Sequence, residues 1–234
     1  MVINDAAFLI IFAVFLSYFT GTGLTFGAFL LVFSLTAIHY AVINGIFANL
    51  GELPEIIEGG KMDYYLSFPL SPLPFLATKS IKVHNLGDVL FALIAMLVYV
   101  FMFHEGSTRL FIGKWIVIVG IAIFFVVGLF ILAGSVSFRL QRGSKVKSLF
   151  ESFFLVFGSY PPDIFLHDKT VFILISLVGL YPGVFLPYRI LLGEGNLLSR
   201  LLLICMSAGM FLLGLFIFRS GLKKYSSGNL VLQM

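Results

Sequence analysis

Charge is what this sequence has least of: 11% of its 234 residues are Asp, Glu, Lys or Arg, while 60% are hydrophobic. Soluble domains carry roughly 25% charged residues, so the composition is that of an integral membrane protein. Cysteine is limited to Cys205, inside an apolar run, which excludes a disulfide framework. A Walker A loop is missing as well, because the pairs Gly60-Lys61 and Gly113-Lys114 have Glu55 and Thr108 where the first glycine belongs. His39, His84, His104 and His167 are dispersed, without H-E-x-x-H or a cysteine pair, so no metal centre is expected. Ser135 in "AGSVSF" lacks the G-x-S-x-G elbow, and no span carries a carboxylate pair, so catalysis is not expected of this chain. The opening "MVINDAAFLIIF" has Asp5 but no Lys or Arg, which predicts a retained span and not a cleaved leader.

Apolar runs are plentiful. A helix needs about 20 apolar residues to cross a hydrocarbon layer roughly 30 Å thick. Six segments meet or approach this: Asp5 to Thr20, Leu24 to Leu50, Leu86 to Phe103, Phe111 to Phe138, Thr170 to Leu192 and Leu197 to Phe218. The first two, joined by "TGTG", predict a helical hairpin. With the N-terminus inside, eleven of the 15 Lys and Arg fall on the inner side and four, Arg109, Lys114, Arg189 and Arg200, on the outer. That bias predicts cytoplasmic termini, and it explains the net charge of +4 without nucleic acid. The expected fold is all-α: one transmembrane domain over 1–234, six spans, a cytoplasmic loop over 51–85, and an amphipathic helix over 144–158.

That last helix has Val146, Leu149, Phe150, Phe153, Phe154 and Phe157 on one face, which predicts a position along the inner membrane surface, as an anchor or as a lever against a partner. Pro161 and Pro162 end it. Pro182 and Pro187 predict a kink or break in the fifth span, either for packing or to line an exit gate. Ionisable groups are otherwise scarce inside the expected spans. His39, Asn44 and Asn49 are the main polar exceptions, read as interhelical hydrogen bonding or as the wall of a substrate path.

The loop after the second span is the unusual part. Glu52 to Asp63 is acidic and helix-compatible, Gly59 and Gly60 interrupt it, and Pro69, Pro72 and Pro74 predict a rigid extended strut. Stiffness of this kind suits a force-transmitting joint better than a solvated connector.

These residues resemble one branch of the type-2 ABC exporter permeases. The pattern is carried by Ile57, Gly60, Asp63 and Leu66, then Pro69, Pro72 and Leu73, then Leu86, Gly87 and Asp88, with "YPPDIF" (Tyr160 to Phe165) and "YPGVFLPYRILLG" (Tyr181 to Gly193) in the second half. The resemblance implies a non-catalytic permease subunit of an ATP-driven exporter in the cell membrane. It implies pairing as a homodimer or with a related permease, and docking on separate ABC ATPase subunits that bind the ATP and Mg, so that this chain needs no cofactor of its own. It assigns ATPase coupling to Glu52, Glu55, Glu58, Gly60, Lys61 and Asp63, and a structural part in the loop to Pro69, Pro72, Pro74 and Asp88. The translocation path is expected beside His39, Asn44, Tyr181, Pro182 and Pro187, taking a hydrophobic or amphipathic cargo and facing membrane lipid. The resemblance also implies a basic amphipathic helix ahead of a longer first span, whereas this sequence opens almost directly on its apolar run. Two other classes remain open: a secondary carrier or channel, and a membrane enzyme using Asp63, His84 and Asp88.

Overall fold

The computed structural model describes residues 25–140, 142–165, 169–177 and 179–225, with Ala7, Ile10 and Val14. The expected first span and the "TGTG" turn otherwise lie outside the described residues, as do His167 and the end of the tail. Among the described residues the chain is helical and has no strand. Three helices are long and apolar enough to cross a membrane, Phe26–Ile46, Thr108–Phe138 and Leu197–Leu222, and Gly87–Met102 is a shorter apolar one.

Helix α1 (Phe26–Ala41) starts where the Thr25 hydroxyl accepts the Ala28 N–H at 3.1 Å. It is buried on nearly all sides, which fits its lack of a polar face. A π-helical stretch, Val42–Ile46, extends it. Wider turns there expose carbonyls, and two are satisfied from outside the helix. Asn85 donates its amide to the Asn44 carbonyl at 2.6 Å, and the Lys82 N–H reaches the Gly45 carbonyl at 2.9 Å.

Three short helices follow in the loop: α2 (Leu53–Glu58), α3 (Met62–Leu66) and α4 (Pro72–Thr78). The expected extended strut is corrected here. Pro72 and Pro74 occupy the first turn of α4, where the missing N–H is no loss and the fixed φ suits a helix. The return helix α5 (Leu86–Met102) packs along α1.

Helix α6 (Thr108–Ser135) crosses back, ending against the loop where Gly134 meets Leu53. Its main partner is α10 (Leu197–Leu222), numbered last in the chain. On α10 the buried residues are Leu203, Ser207, Gly214, Phe218 and Gly221, a single stripe at helical spacing, so the rest of the helix faces outward. Gly128 and Gly214 mark the closest approach of α6 and α10. A Cβ on Gly128 would lie 2.6 Å from the Phe211 backbone, and one on Gly214 would lie 2.5 Å from the Gly128 carbonyl oxygen.

Helix α7 (Gly143–Gly158) forms over the span expected for the amphipathic segment, but in a different setting. Gly143 abuts Ser137 at the loop end of α6, Phe154 lies near Gly183, and Gly158 sits against Thr36 of α1 and accepts its hydroxyl hydrogen bond. Thr36 is about ten residues from the loop end of the Phe26–Ile46 helix, or about 15 Å at 1.5 Å per residue. The helix therefore climbs beside α1 and α6.

The segment expected as a fifth span kinked or broken by Pro182 and Pro187, Thr170 to Leu192, is not one helix. It contains α8 (Lys169–Leu177), a π-helical stretch Tyr181–Phe185, and α9 (Leu186–Leu191). Gly179 at φ +92° provides the reversal that an L side chain would resist. Asp163 is at hydrogen-bond reach of Tyr188, Gly179 lies against Leu129 and Phe125, and Gly195 against Ile190. The chain thus dips beside α6 and returns to the end from which it entered.

Candidate functional site

The loop folds as a block because one buried asparagine organises it. Asn49 donates to the Leu76 carbonyl at 3.0 Å and to the Tyr65 hydroxyl at 3.3 Å, while its own oxygen accepts from Ser80 at 2.6 Å. Tyr64, Tyr65, Phe68 and Phe75 cluster around it with ring centroids 5.0 to 6.4 Å apart. The Lys79 ammonium lies 3.5 Å from the Tyr64 ring centre, a cation–π contact. Asn49→Leu leaves the Leu76 carbonyl and Ser80 without this partner, a loss of about 1–3 kcal/mol. The thermal midpoint of the purified variant is expected to fall by several degrees, and an unchanged midpoint would show that the block is held by its rings alone.

The six residues assigned to ATPase coupling divide into two groups. Three acidic ones are engaged within the chain. Glu52 pairs with Lys82 at the approach to α5. Glu58 caps α7: its carboxylate accepts the Ser144 N–H at 2.7 Å, the Ser144 hydroxyl at 2.8 Å and the Ser137 hydroxyl at 3.2 Å. A carboxylate there satisfies a free helix N–H and complements the positive end of the dipole. Asp63 faces Tyr225, past the end of α10; burial first and this carboxylate second raise the phenol above its ordinary pKa.

Glu55 and Lys61 form the other group, exposed on the surface, with Gly60 between helices at φ +67°. Beside them Tyr64, Leu66, Phe68 and Leu70 are 39 to 56% exposed. The block therefore presents an apolar surface with a charged rim. Pro69 lies in the turn before α4, and Asp88 is buried in the first turn of α5.

A second polar cluster was missed by sequence reasoning. Lys147 and Glu151, both on α7, form an ion pair at 2.9 Å with side chains only 10% and 17% exposed, and Asn44 donates to the other Glu151 oxygen at 2.9 Å. The K-x-x-x-E spacing was the available signal. This face of α7 turns towards the π-helical end of α1.

A family model described as ABC-2 family transporter protein matches residues 1–228. The chain belongs to the ABC-2 transporter family. No curated protein and no solved structure matched it. As an ABC-2 protein it is a multi-pass membrane protein of a family that is generally a non-catalytic membrane subunit and associates with ABC ATPases.

The ABC-2 fold separates the residues expected along a translocation path. His39 is fully buried between α1 and α6; neither ring nitrogen makes a well-formed hydrogen bond, and the nearest backbone groups are those of Leu35 and Val119. Asn44 is engaged with Glu151. Tyr181, Pro182 and Pro187 lie together in the dipping segment, the two prolines buried and Tyr181 half-buried. The residues of the enzyme alternative sit on separate elements. Asp63 belongs to the loop block and Asp88 to α5, while the His84 side chain lies outside the description. Among the described residues no group of three His, Cys, Asp or Glu could hold a metal.

Proposed function

We propose that this chain is the membrane-spanning subunit of an ATP-driven exporter, and that the loop block over 51–85 receives force from a separate ATPase and passes it to α7. The observation that carries this reading is Glu58, which ends α2 in the block and caps the start of α7. The exposed Tyr64, Leu66, Phe68 and Leu70 are the proposed docking surface, with Glu55 and Lys61 at its edge.

The proposed topology has six spans, counting the segment Asp5 to Thr20, with both termini and the loop block cytoplasmic. Here α7 is the fifth span and the dip from Lys169 to Leu191 is re-entrant from the outer side. Lys169 then moves outside, leaving ten of the 15 Lys and Arg inside, so the charge bias persists. We assign the path to the face shared by two such permeases and take the cargo to be apolar or amphipathic.

Two variants of the full chain, co-expressed with its ATPase, test the two halves of the proposal. Tyr64→Asp with Leu66→Asp is expected to abolish ATPase co-purification. Glu58→Ala is expected to keep the ATPase bound but lower transport per ATP hydrolysed by about tenfold, within the 5–150-fold range of ordinary allosteric couplings. Retained binding in the first variant, or unchanged transport per ATP in the second, would overturn the corresponding half.

One observation favours a different class. A buried Lys147–Glu151 pair resembles what an ion-coupled carrier retains inside a membrane. Transport by the purified chain alone in proteoliposomes would support that reading.

A further inference from the structure

A groove of about 530 Å³ opens between α6 and α10, at the end of the bundle opposite the loop block. Its charge is unusual for its place. Arg109, Lys114 and Arg200 all line it, and none has an ion-pair partner among the described residues, whereas Arg189 nearby is neutralised by Glu194 at 3.0 Å. Cations on the non-cytoplasmic side of a membrane protein are the disfavoured case. Three of the five placed there by the proposed topology converge on one groove.

The rest of the lining is apolar and arranged in depth. Arg109, Gly113, Val117 and Ile121 follow one face of α6 at four-residue spacing, and Leu203 forms the opposing wall on α10. From Arg109 to Ile121 the groove runs about 18 Å at 1.5 Å per residue, a little more than half of a hydrocarbon layer roughly 30 Å thick. The cations are at the mouth and the apolar walls lie deeper. Both helices also start here, so two positive dipole ends lie near the mouth. Gly113 keeps the floor open, because a Cβ there would meet nothing within 4 Å.

We infer that this groove binds a lipid of the adjoining leaflet, with an anionic phosphodiester headgroup held by Arg109, Lys114 and Arg200 and an acyl chain laid along Val117 and Ile121. Charge complementarity selects an anionic lipid over a zwitterionic one, and the depth matches one leaflet. The inference does not depend on ATPase coupling.

The test is native mass spectrometry of the full chain after reconstitution with equal dioleoyl phosphatidylglycerol and dioleoyl phosphatidylcholine. One phosphatidylglycerol per chain is expected to survive mild activation in preference to phosphatidylcholine. The triple variant Arg109→Gln, Lys114→Gln, Arg200→Gln should weaken retention about tenfold. Gly113→Phe should do the same by filling the floor while keeping every charge. Gly120→Phe, one helix segment away and also free of neighbours within 4 Å, serves as the control that keeps the lipid. Equal retention of the two lipids overturns the inference. So does normal phosphatidylglycerol binding in Gly113→Phe, which would mean that surface charge alone attracts lipid, or capture of a second copy of this chain in the groove.

Discussion

Gly128→Val is expected to abolish recovery of monodisperse protein, because it separates the two helices with the most extensive contact in the fold. The missing side chain at Gly128 is where the backbone of Phe211 passes, and Gly214 in turn packs on the Gly128 carbonyl. In a membrane this approach matters more than apolar burial, since lipid tails are as apolar as the side chains they replace. A side chain at a flexible contact can be accommodated, but backbone on both sides cannot yield without moving a helix. Overpacking costs typically about 1–3 kcal/mol and occasionally more, and this geometry belongs at the upper end. Gly209→Ala on α10 is the matched comparison: its Cβ would meet nothing within 4 Å, and it should elute and melt like the parent. Similar size-exclusion profiles for Gly128→Val and Gly209→Ala would show that the α6–α10 crossing relaxes freely.

Lys147→Met should destabilise the chain by about 3–5 kcal/mol, the range for breaking a buried ion pair from one side. The loss comes from what remains. Glu151 would keep its charge with the Asn44 amide as its identified polar partner, in a site that is 17% exposed. The companion variant Lys147→Met with Glu151→Leu removes both charges and should recover most of that loss, as shape-matched apolar replacements of buried pairs often do. Thermal midpoints of the two single variants and the double variant, taken as a cycle, separate the pair from its surroundings. If the double variant is as unstable as the single ones, the pair's contribution lies elsewhere than in mutual neutralisation. Transport that survives in the double variant would also count against an ion-coupled role.

The helices α1, α5, α6 and α10 were legible in the sequence because apolar runs of near-spanning length leave few alternatives; the bounds of α5, α6 and α10 agree within a few residues, while α1 gives way to the π-helical stretch nine residues before the expected end at Leu50. The interruption over 51–85 was legible for the same reason in reverse. What failed involved residues whose meaning depends on a distant partner. The Lys147–Glu151 pair carries no local mark of its setting, since its burial and the Asn44 amide are tertiary facts. Pro72 reads equally well as part of an extended strut or as the first residue of a helix. Gly179 separated two helices within one apolar run, and composition alone does not mark such a reversal. The partners of Glu58, Ser137 and Ser144, lie about 80 residues away and no local pattern connects them.

The three acidic anchors of the loop block also constrain how the molecule can move. A rigid body fastened at two points can still swivel about the line joining them, and a third fastening off that line removes the swivel. Glu52 fastens the block near α5 and Glu58 to the start of α7, while Asp63 lies beside Tyr225 past the end of α10. No single helix can then tilt while the block stays seated on the other two. Displacement of one element therefore either carries the other two with it or loosens a contact. The block therefore ties the approach to α5, the start of α7 and the end of α10 into one mechanical unit at the loop end of the bundle.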